Sequence, residues 1–295
     1  MVYFCADDYG ISKEYNRCIE ECLEKGVLNK VSVLPNGDIG DFTERFAGKD
    51  VLLTLHLNIV EGHPLSPIEE IPALVDENRC FKHSFVGLFL KSFSPRRKEL
   101  EKQMYTEIRN QLMFWTEKTG ERSISVDCHQ HAYMIPWIFK TLMQVIRDER
   151  LDVKYLRIPA EPLRAYLFNP SLYSSYSLTG LIKQWLLKGL AFINRRYLRG
   201  MTFTSAYFMG VMMSGKLTAS GVQRLLKHYL HFSQEKQRGI EIAFHPGYAK
   251  GDLALISGSR EDFKKFYTSP WRNAEYDTLM SSELRDIIIK MKEGA

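Results

Sequence analysis

The feature that most constrains this chain is a regular alternation between short apolar runs and longer segments of helical period. Apolar runs of strand length occur at 2–6, 51–58 and 240–244, and segments such as 97–117 lie between them. This alternation predicts βα units, in which parallel strands form one sheet and helices cover it. With 295 residues, of which 45% are hydrophobic, the chain can bury the core that such a sheet needs. We therefore expect an α/β fold, and a single barrel is its simplest form.

Capping and turn residues set the predicted element boundaries. Ser12 fits an N-cap and Gly26 follows Lys25 as a C-terminal glycine, so the first helix is predicted over 12–25. No repeat, low-complexity tract or interdomain linker divides the sequence, which predicts one domain over 1–295. The other predicted elements are strands at 27–34, 123–128 and 152–158 and helices at 137–150 and 217–232.

Charge is distributed unevenly along the chain. The net charge is +5, but no acidic residue occurs between Glu161 and Glu235. We expect this stretch to form a helical, basic insert at about 162–234. Its charge favours an anionic partner, which could be phosphate on a substrate, a membrane surface or nucleic acid, and a solvated basic face is the alternative. Because no nucleic-acid-binding motif is recognisable, no nucleic acid is expected. The basic residues are Arg164, Lys183, Lys188, Arg195, Arg196, Arg199, Lys216, Arg224 and Lys227.

The segment 178–198 within this stretch predicts a basic amphipathic helix. Two lysines interrupt its apolar residues, so it lacks the uncharged length of a membrane span. Such a helix can lie in a membrane interface, or its apolar stripe can pack against the protein's own core. On a helical projection one face carries Ile182, Trp185, Leu186, Gly189 and Ile193, and the opposite face carries Lys183, Gln184, Lys188, Asn194 and Arg195.

Two adjacent carboxylates, Asp7 and Asp8, lie at the end of the first predicted strand and are followed by Gly10. Adjacent strand residues point to opposite sides, but a turn at the strand end can bring both toward one pocket. One could then bind a metal while the other handles protons. The alternative is a solvated turn before a helix N-terminus, where acids are favourable.

Histidines stand at three further strand ends. His56 lies in an apolar strand before a loop, where a hydrogen-bonded core histidine is the alternative. In the run from Asp127 through His129 to His131, alternate residues share one face if the strand continues, and the carboxylate could orient a ligating imidazole. His245 directly follows the strand ending at Phe244 and precedes a proline. All these signals fall on the face where α/β barrels build active sites.

Two histidines and one carboxylate leave open coordination positions on a divalent metal, as a hydrolytic site requires. We predict Asp8, His56 and His129 as ligands of a divalent metal ion, either magnesium or zinc. Asp7 is then the base that takes a proton from water, and His245 protonates the departing amine.

In their order these motifs resemble the YdjC-like family, which includes the chitooligosaccharide deacetylases (ChbG) and the related HpnK proteins. The resemblance implies a deformed (β/α) barrel, an Asp-His-His metal site and removal of acetyl groups from N-acetylated amino sugars in oligosaccharides or glycoconjugates. It places the family's ligands on Asp8, His56 and His129 and its acid-base residues on Asp7 and His245. The matching segments are Ala6-Asp7-Asp8-Tyr9-Gly10-Ile11-Ser12, Leu55-His56-Leu57-Asn58, Glu61-Gly62-His63-Pro64-Leu65, Asp127-Cys128-His129-Gln130-His131, Leu156-Arg157-Ile158-Pro159 and His245-Pro246-Gly247.

The sequence departs from this family at Tyr133, where relatives often have a histidine. The stretch 162–234 resembles the longer family members more than the compact chitobiose enzymes. We hypothesise that it recognises a lipid- or phosphate-linked glycan at an anionic membrane surface.

Three other functions fit parts of the pattern. A non-haem iron oxygenase also uses two histidines and a carboxylate, but on a β-rich scaffold with ligands closer together. An amidohydrolase-like barrel with His129 and His131 as its ligand pair would place that pair near the first strand. A non-catalytic sugar- or membrane-binding protein on the same scaffold is opposed by the complete set of acidic and histidine residues.

The five cysteines include no Cys-x-x-Cys pair and are odd in number, which argues for a reducing compartment. The N-terminal residues show neither a basic region nor an apolar stretch of signal-peptide length. We therefore expect a cytoplasmic protein, with peripheral contact at the inner membrane surface if the basic stretch binds lipid.

Overall fold

Seven parallel strands form one curled sheet with helices around it in a computed structural model that describes residues 1–167, 169–176, 178–247 and 260–293. The strand order is β5-β4-β3-β2-β1-β7-β6. The strands are β1 (Val2–Tyr9), β2 (Lys30–Val33), β3 (Leu52–Leu57), β4 (Ser123–Cys128), β5 (Asp152–Leu156), β6 (Ala206–Met209) and β7 (Gly239–Phe244).

The helices follow the strands as the alternation predicts. The α-helices are α1 (Lys13–Lys25), α2 (Phe42–Arg45), α3 (Phe85–Lys91), α4 (Arg97–Thr119), α5 (Pro136–Asp148), α6 (Leu163–Leu167), α7 (Leu178–Asn194), α8 (Ala219–Lys236), α9 (Glu261–Tyr267), α10 (Trp271–Met280) and α11 (Ser282–Glu293). Short 3-10 helices lie at His129–Met134, Pro170–Ser175 and Arg195–Leu198. No helix among the described residues is both long enough and apolar enough to cross a membrane.

The two edges of the sheet meet just before β6. Thr204 forms an isolated parallel bridge with Tyr155 of β5. The Leu156 N–H donates to the Thr204 carbonyl at 3.0 Å, and the Thr204 N–H donates to the Lys154 carbonyl at 2.9 Å. Among the described residues, this short contact is what joins the two edge strands. The sheet is therefore a deformed (β/α) barrel, and the predicted fold class is confirmed.

Local residue chemistry explains most element boundaries. The Ser12 hydroxyl caps α1 by accepting from the Tyr15 N–H at 3.2 Å. The predicted strand at 27–34 is shorter in the structure because the Asn29 side chain takes over part of the ladder. Its amide oxygen accepts from the Phe4 N–H at 2.8 Å, and its amide nitrogen donates to the Val2 carbonyl at 3.0 Å.

Strand β6 was not predicted from the sequence. It has only four residues, Ala206–Met209, and lies inside the stretch expected to be a helical insert. The described part of 162–234 is mostly helical, but it contributes β6 to the barrel and α8 to its outer layer. A single domain with an insert at these bounds therefore stays a prediction. Within the described part of 162–234, α6, α7 and the adjoining 3-10 helices lie outside the regular βα alternation.

Helix α7 packs a mixed polar and apolar side against the protein and leaves other apolar side chains exposed to solvent. The buried Gln184 donates to the Glu161 carbonyl at 3.0 Å, and the buried Asn194 donates to the Met134 carbonyl at 2.8 Å. Trp185 remains 60% exposed and Ile182 61% exposed. Most of the predicted apolar stripe therefore lies in solvent, whereas Leu186 is partly buried against the core. The apolar residues of α7 that the core buries are Leu187 and Leu190.

Candidate active site

A bulge in β1 brings two adjacent carboxylates to one pocket. The pairing of β1 with β2 shifts register between Ala6 and Tyr9, and Asp8 has a φ of 69°. This left-handed conformation is rare for a residue with a side chain and concentrates at functional sites. Asp7 and Asp8 consequently line the same pocket although they are neighbours in a strand. The turn predicted at the end of the first strand is therefore a bulge within β1.

His56, near the end of β3, is held between two carboxylates. Its Nδ1 donates to Asp127 Oδ1 at 2.6 Å, and its Nε2 lies 3.1 Å from Asp8 Oδ1. Burial disfavours the imidazolium, but the charges of Asp127 and Asp7, with hydrogen bonds from Asp127 and Asp8, raise the pKa of His56 to about 10. The Asp127 carboxylate fixes the ring orientation and leaves Nε2 facing the pocket.

His129 lies directly after β4. Its Nδ1 donates to Asp8 Oδ1 at 2.7 Å, whereas its buried Nε2 has no hydrogen-bond partner among the described residues. Burial lowers the pKa of His129, and the nearby Asp8 carboxylate offsets only part of that effect. The expected strand alternation through His131 is wrong, because Gln130 and His131 adopt left-handed conformations with φ of 52° and 61°. His131 still lines the pocket.

Asp8, His56 and His129 form a group that suits a divalent cation. One ligand atom from each lies within 4.8 Å of the others, and all three side chains are buried. Mixed nitrogen and oxygen donors of this kind bind zinc and related divalent metals. The orphaned Nε2 of His129 is consistent with a further ligand, since buried polar atoms are rarely unpaired. These residues therefore fit the metal that the sequence predicts.

Two other clusters of potential ligands are already occupied by basic side chains. The first cluster consists of Cys5, Asp127 and Glu241, and Lys30 forms ion pairs with both of its carboxylates. Burial also raises the pKa of the Cys5 thiol well above its ordinary value, which opposes metal binding as a thiolate. The second cluster, Asp7 with His56 and Asp127, has both its carboxylates paired with the Arg157 guanidinium.

Arg157 is the principal residue of the site whose role the sequence did not predict. Its Nη1 donates to Asp7 Oδ2 at 2.7 Å and its Nη2 to Asp7 Oδ1 at 2.8 Å, which makes a bidentate pair. Burial raises the pKa of Asp7, but the Arg157 charge outweighs it and holds this pKa far below its usual range. Asp7 is therefore ionised and fixed in orientation.

The same guanidinium belongs to a buried charge network inside the barrel. Arg157 Nε donates to Glu241 Oε1 at 2.9 Å. Lys30 Nζ bridges Glu241 Oε1 at 2.6 Å and Asp127 Oδ2 at 3.2 Å. A sequence signal existed for this network, because Lys30 and Glu241 are charged residues within short apolar runs that were predicted as strands.

His245 follows β7 and is held by a helix distant in sequence. Its backbone N–H donates to Glu275 Oε2 on α10 at 2.6 Å, and its Nδ1 lies 3.8 Å from the same oxygen. Its Nε2 lies 3.7 Å from Asp8 Oδ2, with 17% of the side chain exposed. His245 is therefore the most solvent-accessible of the five predicted site residues, and its Nε2 points toward the metal group.

All five predicted site residues line one pocket of about 420 Å³. Helix α9 supplies an aromatic wall: Phe263 lies edge-on to His129 with ring centroids 4.9 Å apart, and Phe266 lies edge-on to His245 at 5.2 Å. The Tyr267 hydroxyl donates to Asp8. No local motif marked these C-terminal residues, since their role depends only on where α9 packs.

Tyr133, at the position where relatives often have a histidine, does not line the pocket. It is buried, and its hydroxyl donates to the Arg157 carbonyl. The departure from the family pattern therefore affects the support of Arg157 and leaves the proposed ligands in place.

Known proteins that resemble this chain carry carbohydrate deacetylase names. A carbohydrate deacetylase from Xenopus laevis is 24% identical over 298 residues, covering 96% of this chain and 92% of the relative. A carbohydrate deacetylase from Danio rerio is 30% identical over 172 residues, covering 56% of this chain and 52% of the relative. A chitooligosaccharide deacetylase from Escherichia fergusonii is 26% identical over 151 residues, covering 50% of this chain and 56% of the relative. The chain thus spans about half the length of the last two relatives.

A solved structure with the same fold comes from Enterococcus faecalis V583 and is named after cellobiose-phosphate cleavage. It superimposes with a TM-score of 0.64, covers 98% of this chain and 94% of its own, and is 17% identical. At that identity the likeness concerns the fold alone. The model of the YdjC-like protein family matches residues 1–290. The chain belongs to the YdjC-like family.

Proposed function

We propose that this protein is a metal-dependent deacetylase of N-acetylated amino sugars. The observation that carries the proposal is the buried Asp8-His56-His129 group, with one His129 nitrogen unpaired among the described residues, in the lining of a pocket that Asp7 and His245 also line. Asp8, His56 and His129 would hold a divalent metal, which would supply polarisation of the amide carbonyl and acidification of a water molecule near neutral pH. Magnesium and zinc both remain candidates.

The protein's own residues would prepare the site before substrate arrives. Asp127 holds His56 through Nδ1, so that the opposite nitrogen faces the pocket. Arg157 keeps Asp7 ionised and immobile, which suits a carboxylate that orients water and accepts its proton. Because its pKa is low, Asp7 is a weak base, and its fixed orientation contributes more to the reaction than its basicity.

His245 is the candidate general acid. The Glu275 carboxylate accepts from the His245 backbone and lies beside Nδ1. Glu275 thereby holds the ring so that Nε2 faces the metal group, and a proton on Nε2 can be given to the departing amine. The aromatic rings of Phe263 and Phe266 cover one side of the pocket and exclude water from the reacting amide.

The direct test is acetate release from a panel of N-acetylated sugars, oligosaccharides and glycolipids, with and without a chelator. Asp7→Asn and His129→Ala are compared with His231→Ala, which changes an exposed histidine on α8 that does not line the pocket. Release that the chelator abolishes, that both site variants lose and that the control retains would support the proposal. Absence of release from every substrate by metal-loaded protein would contradict it and favour a non-catalytic glycan-binding protein.

We also propose that the acetylated sugar is lipid-linked and is met at an anionic membrane surface, on the cytoplasmic side of the inner membrane. Helix α7 supports this with its outward face, where Ile182, Trp185 and Phe192 are 61%, 60% and 71% exposed. Cations flank these side chains: Lys188 lies over the Trp185 ring and Arg195 over the Phe192 ring. Aromatic and aliphatic groups between cations are typical of helices that lie in membrane interfaces.

Vesicle flotation tests this second proposal. Anionic vesicles should retain the protein and neutral vesicles should release it, and the double variant Trp185→Ser/Phe192→Ser should bind anionic vesicles at least tenfold more weakly. Trp271→Ser is the matched control, since Trp271 is 49% exposed on α10 instead of α7. Equal binding by the double variant and the control would exclude α7 as the membrane contact.

A further inference from the structure

The proposed site leaves one of the motifs noted in the sequence without a role, the segment Glu61-Gly62-His63-Pro64-Leu65 in the loop after β3. Its first residue, Glu61, has a completely buried side chain, yet it does not line the pocket. A carboxylate away from water needs a partner, because an unpaired buried charge is strongly unfavourable. The role of Glu61 therefore depends on the residue with which its carboxylate pairs.

The backbone of Glu61 is held in place by the Asn58 side chain. The Asn58 amide oxygen accepts from the Val60 N–H at 3.2 Å and from the Glu61 N–H at 3.1 Å. The Asn58 amide nitrogen donates to the Glu61 carbonyl at 2.9 Å. Gln111 on α4 accepts the Asn58 N–H at 3.0 Å and so fixes Asn58 itself. The Glu61 carboxylate consequently extends from a turn whose backbone is held at several points.

The partner of Glu61 is Arg260, which lies 199 residues further along the chain and directly precedes α9. The Arg260 N–H donates to Glu61 Oε1 at 2.6 Å, and Arg260 Nη2 lies 3.3 Å from Glu61 Oε2. Arg260 Nη1 also donates to the Val60 carbonyl at 3.1 Å. Both the backbone and the side chain of Arg260 are thus attached to the loop after β3. The N-terminal end of α9 is therefore fixed to the strand that carries His56.

Helix α9 depends on such contacts for its position. It has seven residues, which are too few for a helix to be stable by itself. Two of its aromatic side chains belong to a small apolar cluster that is separate from the main core among the described residues. The Tyr15 hydroxyl donates to the Tyr267 carbonyl and so fixes the C-terminal end of α9. The members of the small cluster are Ile11, Tyr15, Leu34, Phe263 and Tyr267.

Helix α9 in turn contacts two of the proposed metal ligands. The Tyr267 hydroxyl donates to Asp8 Oδ2, and the Phe263 ring packs edge-on against His129. A group that donates to a ligating carboxylate fixes the orientation of that carboxylate and tunes its affinity for metal. Displacement of α9 would therefore release Asp8 from the hydrogen bond that orients it.

We propose that Glu61 and Arg260 are positioning residues, which hold α9 so that Tyr267 orients Asp8 for the metal. This inference rests on the metal site of the proposed deacetylase. Neither Glu61 nor Arg260 lines the pocket, so the pair acts on the site through α9. Glu61 thereby acquires a role that its position in the sequence, five residues after His56, does not reveal.

Hydrogen exchange in the metal-free protein tests whether the pair holds α9. In Glu61→Gln, which keeps the size of the side chain but removes its charge, the amides of 263–267 should exchange about tenfold faster than in the wild type. Arg260→Gln breaks the same ion pair from its partly exposed side and should have the same effect even if Glu61→Gln does not fold. Lys264→Gln, which removes an exposed ion pair with Glu261 from the same helix, is the matched control and should leave the exchange unchanged. Equal exchange in all three variants would overturn the inference.

Metal titration of the chelator-treated protein tests whether the pair acts through Tyr267. Zinc is the probe, and magnesium is used if zinc does not bind. Tyr267→Phe removes the hydrogen bond to Asp8 and should weaken metal binding about tenfold, and Glu61→Gln should weaken it by a similar factor. Because both changes remove one contact, the double variant should bind metal about as well as Tyr267→Phe alone. Multiplied losses in the double variant would overturn the inference, since Glu61 would then act by another route.

Neither measurement needs an acetylated sugar. Faster exchange of α9 together with coupled metal affinities would support the inference even if no acetate were ever released, in which case only the deacetylase proposal would fail. Acetate release that the chelator abolishes, combined with additive effects of Glu61→Gln and Tyr267→Phe, would overturn the inference and leave the deacetylase proposal standing. Wild-type protein that binds neither zinc nor magnesium would overturn both.

Discussion

Arg157 shows how much of a carboxylate's behaviour depends on one neighbour. Its Nη1 and Nη2 groups donate one hydrogen bond to each carboxylate oxygen of Asp7, and Nη2 also donates to Glu241. A lysine in its place would keep the charge but lose the planar, two-pronged contact. Asp7 would then remain ionised and yet no longer be held in one orientation.

We therefore expect Arg157→Lys to lower kcat about tenfold to a hundredfold, as loss of a positioning contact typically does. Because Asp7 does not ligate the metal in this proposal, metal content should stay near that of the wild type. Turnover, with metal content measured by atomic emission, checks both points. Loss of metal together with activity would show instead that Arg157 supports the ligand group.

His56 leads to a prediction on metal affinity. Its pKa is raised to about 10 in the metal-free protein, mainly by Asp127 acting against burial, so the ring must lose a proton when it binds a metal. Apparent affinity should then rise about tenfold for each pH unit between pH 7 and 9. Titration of metal into the chelator-treated protein at several pH values measures this slope. In Asp127→Asn the slope should flatten, because the charge that keeps His56 protonated is gone.

The raised pKa of His56 also determines how the stability of the metal-free protein changes with pH. Since the folded pKa lies above the ordinary value of 6.5, the protonated ring stabilises the metal-free fold below pH 6.5. That stabilisation is lost as the pH rises through about 10. The melting temperature of metal-free protein should fall across this interval, and a flat profile would show that His56 is neutral in the fold.

At the scale of elements, helix α10 holds the loop after β7. Glu275 accepts the His245 N–H at 2.6 Å and the Gly215 N–H at 2.7 Å, one with each carboxylate oxygen. Glu275→Gln replaces one acceptor with an amide donor and leaves a buried N–H unpaired. We expect it to destabilise the fold by about 1–3 kcal/mol and to lower activity. Urea unfolding measures the change, with Glu69→Gln on the exposed surface as the control, and equal midpoints would contradict it.

Strand ends were the part of the site that the sequence revealed. Asp7, Asp8, His56, His129 and His245 could be found because each stands where an apolar run stops, and parallel strands bring such ends together. Glu275 and Tyr267 could not be found in this way, since they lie on C-terminal helices whose position depends on tertiary packing. The short β6 escaped prediction because four residues show no period.

At the scale of the whole molecule, closure of the barrel depends on one bridge. Thr204→Pro removes the N–H that donates to the Lys154 carbonyl, whereas Thr204→Ala keeps it. We expect the proline variant to lose about 1–3 kcal/mol of stability more than the alanine variant. Urea unfolding gives the difference, and faster hydrogen exchange at the Leu156 amide would locate it at the seam. Indistinguishable variants would mean that packing alone closes the barrel.

The charge network in the barrel interior joins four strands and the residue after β5, through Asp7, Lys30, Asp127, Arg157 and Glu241. Removing the charge of any one of these residues leaves an opposite charge less well paired away from water, which lowers the stability of the fold. During evolution, the interior charge network and the proposed catalytic carboxylate of Asp7 should therefore be conserved together. Substitutions that change the substrate preference should fall in α7 and in the outer walls of the pocket. The charged residues at the centre should stay unchanged among descendants.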